Sequence, residues 1–370
     1  MKKLNFIIKC GLALLLLSFY SCESWLNVTP SDRLSEEMLF NDREGFVKAL
    51  NGVYIELNTN ELYGRNLTAG ALDVMGQYYS VASSSHAFYN YGGLVYTGND
   101  EKALFDNMWQ KCYAVIACCN TIIEKCDENK AGLSPVWRGS IKGEALALRA
   151  MLHFDMLRLF GPLTSELDKE SIPYQTNSDQ TVTPLLSGSE VVGLILDDLK
   201  NAVGLLKDTD PYFVEEEFSD TDLNYRRFRM NYFAAKGLMA RVQLWGGDKE
   251  KAAATAKEVI AEGQAEGAEF FPFVTNSEAT SSNPDRVFYS EVLFGTYHSS
   301  REKLHEDLFA PTLESTSILT LAGTARRDDL YDNENDYRYS VWSTYNKNGT
   351  SVLYHRKFEK QDNVTASRQY

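Results

Sequence analysis

Between residues 43 and 57 the apolar side chains of Phe46, Val47, Leu50, Val53, Tyr54 and Leu57 return every three or four positions. That period places them on one face of an amphipathic helix. The same spacing carries Trp109, Tyr113, Ile116, Asn120 and Ile123 through residues 102–125. A longer helix is predicted over 136–160, ending at Gly161-Pro162, a pair that stops helices because proline cannot continue the hydrogen-bond ladder. Another is predicted over 189–206 with Ser189 as its cap. Two closely spaced helices follow over 231–245 and 249–262, joined by Gly246-Gly247-Asp248.

Elsewhere the period changes. Ser83-Ser84-Ser85, Gly92-Gly93 and Gly98 interrupt any helical pattern in 77–99, which reads as an irregular loop. An acidic insertion spans 208–222. Beyond Phe273, residues 287–297 read as a strand, and 337–345 with 352–358 read as a hairpin around Asn348-Gly349. The pattern therefore predicts a mostly α protein with a second, irregular region of short strands.

The N-terminus has a separate logic. Lys2 and Lys3 precede an apolar run from Leu12 to Leu17, too short for a stable membrane span, and the run ends at Ser21-Cys22. These are the parts of an export signal. A cysteine after a small residue predicts a lipoprotein acylated at Cys22, although Phe19 and Tyr20 depart from the usual motif and plain cleavage is the alternative. Removal of residues 1–21, which hold Lys2, Lys3 and Lys9 and no acid, takes the net charge from −14 to −17. Such acidity, without a patch of clustered Lys and Arg, excludes a nucleic-acid partner.

The cysteines Cys112, Cys119 and Cys126 lie seven apart, about 10.5 Å along a helix axis and beyond disulfide reach. They read as small apolar residues on one buried stripe, and no zinc-type spacing accompanies them.

In 231–262, Ala235, Ala240, Leu244, Gly246, Asp248, Ala252, Ala256 and Val259 put small residues where two helices would cross closely. This approaches the tetratricopeptide helix-turn-helix, while a generic helical core would give a similar pattern. A longer string is more specific. It comprises Leu26-Asn27-Val28-Thr29-Pro30 after Cys22, Gly52-Val53-Tyr54, Trp109-Gln110-Lys111-Cys112-Tyr113 and Cys119-Asn120. It continues through Gly143-Glu144-Ala145-Leu146-Ala147-Leu148-Arg149-Ala150, Phe154 and Arg158-Leu159-Phe160-Gly161-Pro162-Leu163, then Ala240-Arg241-Val242 and Arg326-Arg327-Asp328.

In this order and over nearly its whole length, the chain resembles the SusD/RagB family of outer-membrane nutrient-binding lipoproteins of Bacteroidetes. The resemblance implies a SusD-like α-helical fold whose tetratricopeptide-like pairs support an irregular ligand-binding face. It implies a surface lid, anchored to the membrane by lipid, over a SusC-like TonB-dependent outer-membrane barrel. Such a lid captures glycans, or peptides in some branches, and does no chemistry of its own. The expected organisation is a signal peptide over 1–21, an N-terminal helical region over 22–265 and an incomplete C-terminal region over 266–370. Family chains continue into a further helix pair, so truncation at Tyr370 is expected.

The ligand face follows from residue chemistry. Sugar rings offer apolar C–H faces to flat aromatic side chains, while amides and carboxylates pair with the hydroxyls. The loop 77–99 has that mixture, and loops on rigid scaffolds concentrate binding residues. The candidates are Asp73, Tyr78, Tyr89, Asn90 and Tyr91, with Tyr297 or Trp342 from the second region. Packing of the same tyrosines onto the helices is the structural alternative. Catalysis and cofactors are not expected. Glu215-Glu216-Glu217 reads as a solvated run, and His298 and His305, two turns apart on a helix, could not share a metal. Gly92-Gly93 lacks the lysine and helix start of a phosphate cradle.

Overall fold

The computed structural model describes residues 36–179, 181–264, 269–299 and 301–360. The export signal, Cys22 and the segment to Pro30 lie outside these residues, as does the end of the chain.

Six long helices form the scaffold: α1 (Arg43–Leu57), α2 (Asn99–Glu128), α3 (Pro135–Phe160), α4 (Gly188–Thr209), α5 (Tyr232–Trp245) and α6 (Lys249–Gly263). The shorter helices that follow include α7 (Arg301–Leu308) and α8 (Thr324–Leu330). The expected mostly α class is met. Asp42 caps α1, its carboxylate accepting from the Gly45 amide, and Asn231 caps α5 through the Ala234 amide. The cap of α4 is Ser187 rather than Ser189. Ser187 Oγ accepts from the Glu190 amide and Glu190 Oε2 accepts from the Ser187 amide, a reciprocal box that satisfies two otherwise unpaired N–H groups. Ser187→Ala is expected to cost about 1 kcal/mol in urea denaturation. Ser189→Ala should cost under about 0.5 kcal/mol, as for surface positions away from such features, and equal losses at the two positions would contradict this assignment.

Helix α3 is the central element, packed against α2 on one side and α4 on another. Its close approach to α4 depends on missing side chains. A Cβ at Gly139 would stand 2.6 Å from Thr209 Cγ2, and one at Gly143 would stand 2.7 Å from Leu206 Cγ. Cys112, Cys119 and Cys126 are fully buried on the inner face of α2, as their spacing implies.

Two buried ionic clusters tie the helices together. Arg149 of α3 forms a fork with Asp198 of α4 at 2.7 Å on each arm, and Tyr174 Oη donates to the same carboxylate at 2.5 Å. Arg226 is 1% exposed; its Nε and Nη2 donate to Asp210 at 2.9 and 2.7 Å, and Nη1 donates to Glu144 of α3. Glu144 also accepts from Tyr54 Oη of α1 at 2.7 Å. The stretch 143–149, within the distinctive 143–163 block, thus holds a close helix contact and one member of each cluster.

Strands are few. β1 (Glu170–Pro173) pairs antiparallel with β2 (Leu185–Ser187) before α4. β3 (Trp342–Lys347) and β4 (Thr350–His355) form the predicted hairpin in register Lys347↔Thr350, with tighter bounds. Asn348 and Gly349 have φ of +50° and +85°, the left-handed pair that a two-residue hairpin turn requires. Residues 287–297 are not a strand. A single 3₁₀ turn at Tyr289–Glu291 interrupts them, and the carbonyls of Tyr289 and Ser290 accept from Arg227 Nη1, both at 2.7 Å, instead of from a neighbouring strand.

Candidate functional site

The loop between the one-turn helix Ala71–Met75 and α2 is irregular apart from one turn at Tyr89–Gly92. Gln77 at φ +60° and Leu94 at φ +55° let the backbone reverse twice, and Gln77 Nε2 donates to the Gly92 carbonyl at 3.0 Å, closing the reversal. Beneath it, Phe88 and Tyr91 are buried in edge contact at 5.9 Å, and Tyr91 packs on Phe105 of α2 at the same distance. The loop is therefore a packed surface with a fixed shape.

Its base is clamped to the second region. Ser80 N donates to the Thr320 carbonyl at 2.6 Å, Tyr78 and Tyr331 share a hydroxyl hydrogen bond at 2.8 Å, and Tyr79 Oη lies 3.1 Å from His355 Nδ1. Between loop and clamp lies a groove of about 540 Å³. Gln77, Tyr78, Tyr89, Asn90, Leu321 and Arg326 line it. Tyr89 is 43% exposed, so its ring is available as a platform. Asn90 Nδ2 donates to the buried Glu101 carboxylate at 2.8 Å, which orients the exposed amide and leaves its oxygen as an acceptor. Arg326 of α8 supplies the one formal charge of the lining.

The seven sequence candidates separate in space. Tyr78, Tyr89 and Asn90 line the groove together. Asp73 lies on the other side of Tyr78, in a second cavity of about 360 Å³ that Tyr78 and Tyr79 also border. Burial there raises its carboxyl pKa to about 6, against the opposing field of Lys357. Tyr91 is buried and supports the loop from below. Trp342 is 3% exposed, with its ring 4.4 Å from that of His355, and braces the clamp. Tyr297 stands away from the groove, edge-on to Phe228 at 5.6 Å. Sequence reading missed Gln77, Leu321 and Arg326. The first two carry no chemical signal, and Arg326 was visible only as part of the Arg326-Arg327-Asp328 string.

His298 is not on a helix with His305. Its Nε2 lies 3.0 Å from the Gly64 carbonyl, whereas His305 is buried in α7. Among the described residues no group of three or more His, Cys, Asp or Glu side chains could hold a metal, and no helix is long and apolar enough to cross a membrane.

Comparison with known proteins adds the family. Residues 24–244 match the model of SusD-like proteins described as starch-binding and associating with the outer membrane. The chain is similar to the SusD-like protein P2 of Formosa agariphila, 25% identical over 265 residues, which are 70% of this chain and 46% of the relative. A SusD-like protein of Bacteroides ovatus is 30% identical over 146 residues, 38% of this chain and 23% of that one. The chain thus spans less than half the length of these curated relatives. Among solved structures, a SusD superfamily protein of Bacteroides vulgatus superposes with a TM-score of 0.66 at 18% identity, covering 88% of this chain and 70% of that one. A SusD-like carbohydrate binding protein from the same species gives 0.65 at 21% identity, over 89% and 67%. These two likenesses show the fold. With a family model matched across more than half its length, the chain belongs to the SusD-like family, whose members are described as associating with the outer membrane.

Proposed function

We propose that this protein binds an oligosaccharide in the groove between the 77–96 loop and α8, and acts as a non-catalytic lid on a SusC-like TonB-dependent outer-membrane barrel. The observation that carries the reading is the exposed Tyr89 ring beside the oriented Asn90 amide and the Arg326 guanidinium. An aromatic face with amide and guanidinium groups at its edge matches a sugar ring with its apolar face and equatorial hydroxyls. The family description and the carbohydrate-binding relative of known structure favour a glycan over a peptide. Lipidation at Cys22 would tether the lid, and mass spectrometry of the mature N-terminus tests it.

Tyr89→Ala is expected to weaken oligosaccharide binding about tenfold by calorimetry, on the order of the 1.4 kcal/mol that a tenfold change represents. Tyr297→Ala should leave affinity unchanged. Equal affinity for wild type and Tyr89→Ala would remove the groove as the site. Co-purification with a large outer-membrane barrel supports the lid, and recovery of the protein without one under mild detergent would count against it.

A further inference from the structure

Lys357 follows β4 and reaches solvent although protein surrounds it closely; burial lowers its ammonium pKa. It has no hydrogen bond or ion pair among the described residues. The 360 Å³ cavity beyond Tyr78 and a neighbouring one of about 370 Å³ both include Lys357, Thr68, Val287 and Phe358 in their walls, so the two meet there.

The charges facing Lys357 are unbalanced. Arg286 and Arg338 line the same cavity as cations, His355 is buried and held neutral with its pKa pulled down to about 3, and Asp73 is the only carboxylate in the lining. Arg338 is paired with Asp336, at 2.5 Å. The Arg286 side chain is 8% exposed, and its Nη1 is buried without a hydrogen-bond partner. Its other arm meets Glu359 at 3.1 Å, but that carboxylate is shared with Arg356 at 2.8 Å. Arg301 and Arg356 add to the positive field around Arg286. In a chain of net charge −14 this is a local excess of cations. An unpaired buried guanidinium nitrogen is costly unless something of opposite charge completes it, and the Lys357 ammonium, 5.5 Å from the Phe358 ring and open to solvent, is free to turn toward an anion.

We propose that the cavity at Lys357 is an oxyanion site that takes the carboxylate or sulfate of an acidic sugar. The choice of a sugar as carrier rests on the glycan reading above, since Tyr78 and Tyr79 are walls of both the groove and this cavity. Lys357 contributes the mobile charge, Arg286 a fixed one, and Asp73 opposes the anion, which sets the sign of its substitution.

Calorimetry with a galacturonic-acid trisaccharide and its neutral galactose counterpart tests this on the full chain. Wild type should prefer the acidic sugar about tenfold, Lys357→Met should lose the preference while keeping neutral-sugar affinity, and Lys357→Arg should retain it. Asp73→Asn should increase the preference. Inorganic sulfate should compete with the acidic trisaccharide and raise the melting temperature of wild type but not of Lys357→Met. A preference that survives Lys357→Met, or a sulfate effect equal in the two proteins, overturns the site. A wild type that binds the neutral sugar without preferring the acidic one overturns the anion assignment and leaves the groove standing. A wild type that binds neither overturns both.

Discussion

Arg226→Leu is expected to destabilise the protein by about 3–5 kcal/mol, the range for removing one partner of a buried ion pair. Three segments distant in sequence depend on this guanidinium. It holds both oxygens of Asp210, which is fully buried, and one oxygen of Glu144, which is 3% exposed. Asp210 in turn accepts from the Tyr212 and Tyr232 amides at 3.0 and 2.8 Å, so it fixes the start of α5 as well as the acidic insertion. Leucine would leave Asp210 in the interior with its charge uncompensated and Glu144 with Arg229, at 3.1 Å, as its remaining cation. Lysine would supply the charge but not the fork, because one ammonium cannot reproduce two parallel N–H donors. Urea denaturation of Arg226→Leu, Arg226→Lys and the double variant Arg226→Leu/Asp210→Asn checks this. The double variant should recover part of the loss by removing one stranded charge, and a loss under about 1 kcal/mol for Arg226→Leu would show that the cluster does not hold the helices together.

Acidification is expected to weaken the fold well above the pH at which carboxylates protonate. His153 and His355 are both buried, and each has a pKa pulled down to about 3, with burial the largest cause. For His153 the geometry says the same independently. One ring nitrogen, Nδ1, lies 2.9 Å from the Arg149 carbonyl and must donate, while Nε2 accepts from the Gln175 amide at 3.0 Å. That ring is neutral with its proton on Nδ1, and a second proton would face an N–H group. A histidine whose folded pKa lies below its unfolded value of about 6.5 binds fewer protons when folded. Its stabilising contribution is complete above about pH 6.5 and is lost as pH falls from there toward 3. At pH 5 the loss is roughly 2 kcal/mol per histidine, from 1.36 kcal/mol per pKa unit. Asp73 acts in the opposite sense, because its raised pKa makes the folded state the better proton binder between about pH 6 and 4; it offsets roughly 1 kcal/mol. These three groups give an expected loss between pH 7.5 and pH 5 of about 3 kcal/mol, which the lowered pKa of His86 and His305 deepens and the raised pKa of Asp155 opposes, measured as the shift of the urea midpoint at constant slope. His153→Gln, which can keep a donor and an acceptor, should flatten the profile. A midpoint independent of pH over that interval would contradict the buried neutral rings.

The helical scaffold was legible because its signal is local. A period of three to four residues, a polar cap and a Gly-Pro stop all act within one turn of the element that they specify, and α1, α3 and α5 match their predicted bounds to within one residue. The hairpin was legible for the same reason, since Asn348-Gly349 is itself the turn. The failures lie where a partner decides. Residues 287–297 are rich in the aromatic and β-branched residues that suit a strand, yet among the described residues they pair with no strand, and Arg227 satisfies two of their carbonyls. Ser189 and Ser187 are equivalent as letters. Backbone direction at the end of β2 selects Ser187.

For the binding face, the sequence by itself determined the residue types: a loop dense in tyrosine and asparagine, following an aspartate. Only the tertiary structure decided which of them are surfaces. Burial sent Tyr91 and Trp342 inward because their large rings fill space beneath the loop and the clamp, and left Tyr89 outside. It also brought Arg326 to Tyr89 across more than two hundred residues and set Lys357 opposite Asp73. Helices arise from hydrogen bonds between residues four apart, so their signal is written in neighbouring letters. A binding surface arises from which side chains the packed core excludes, and that depends on every long-range contact at once.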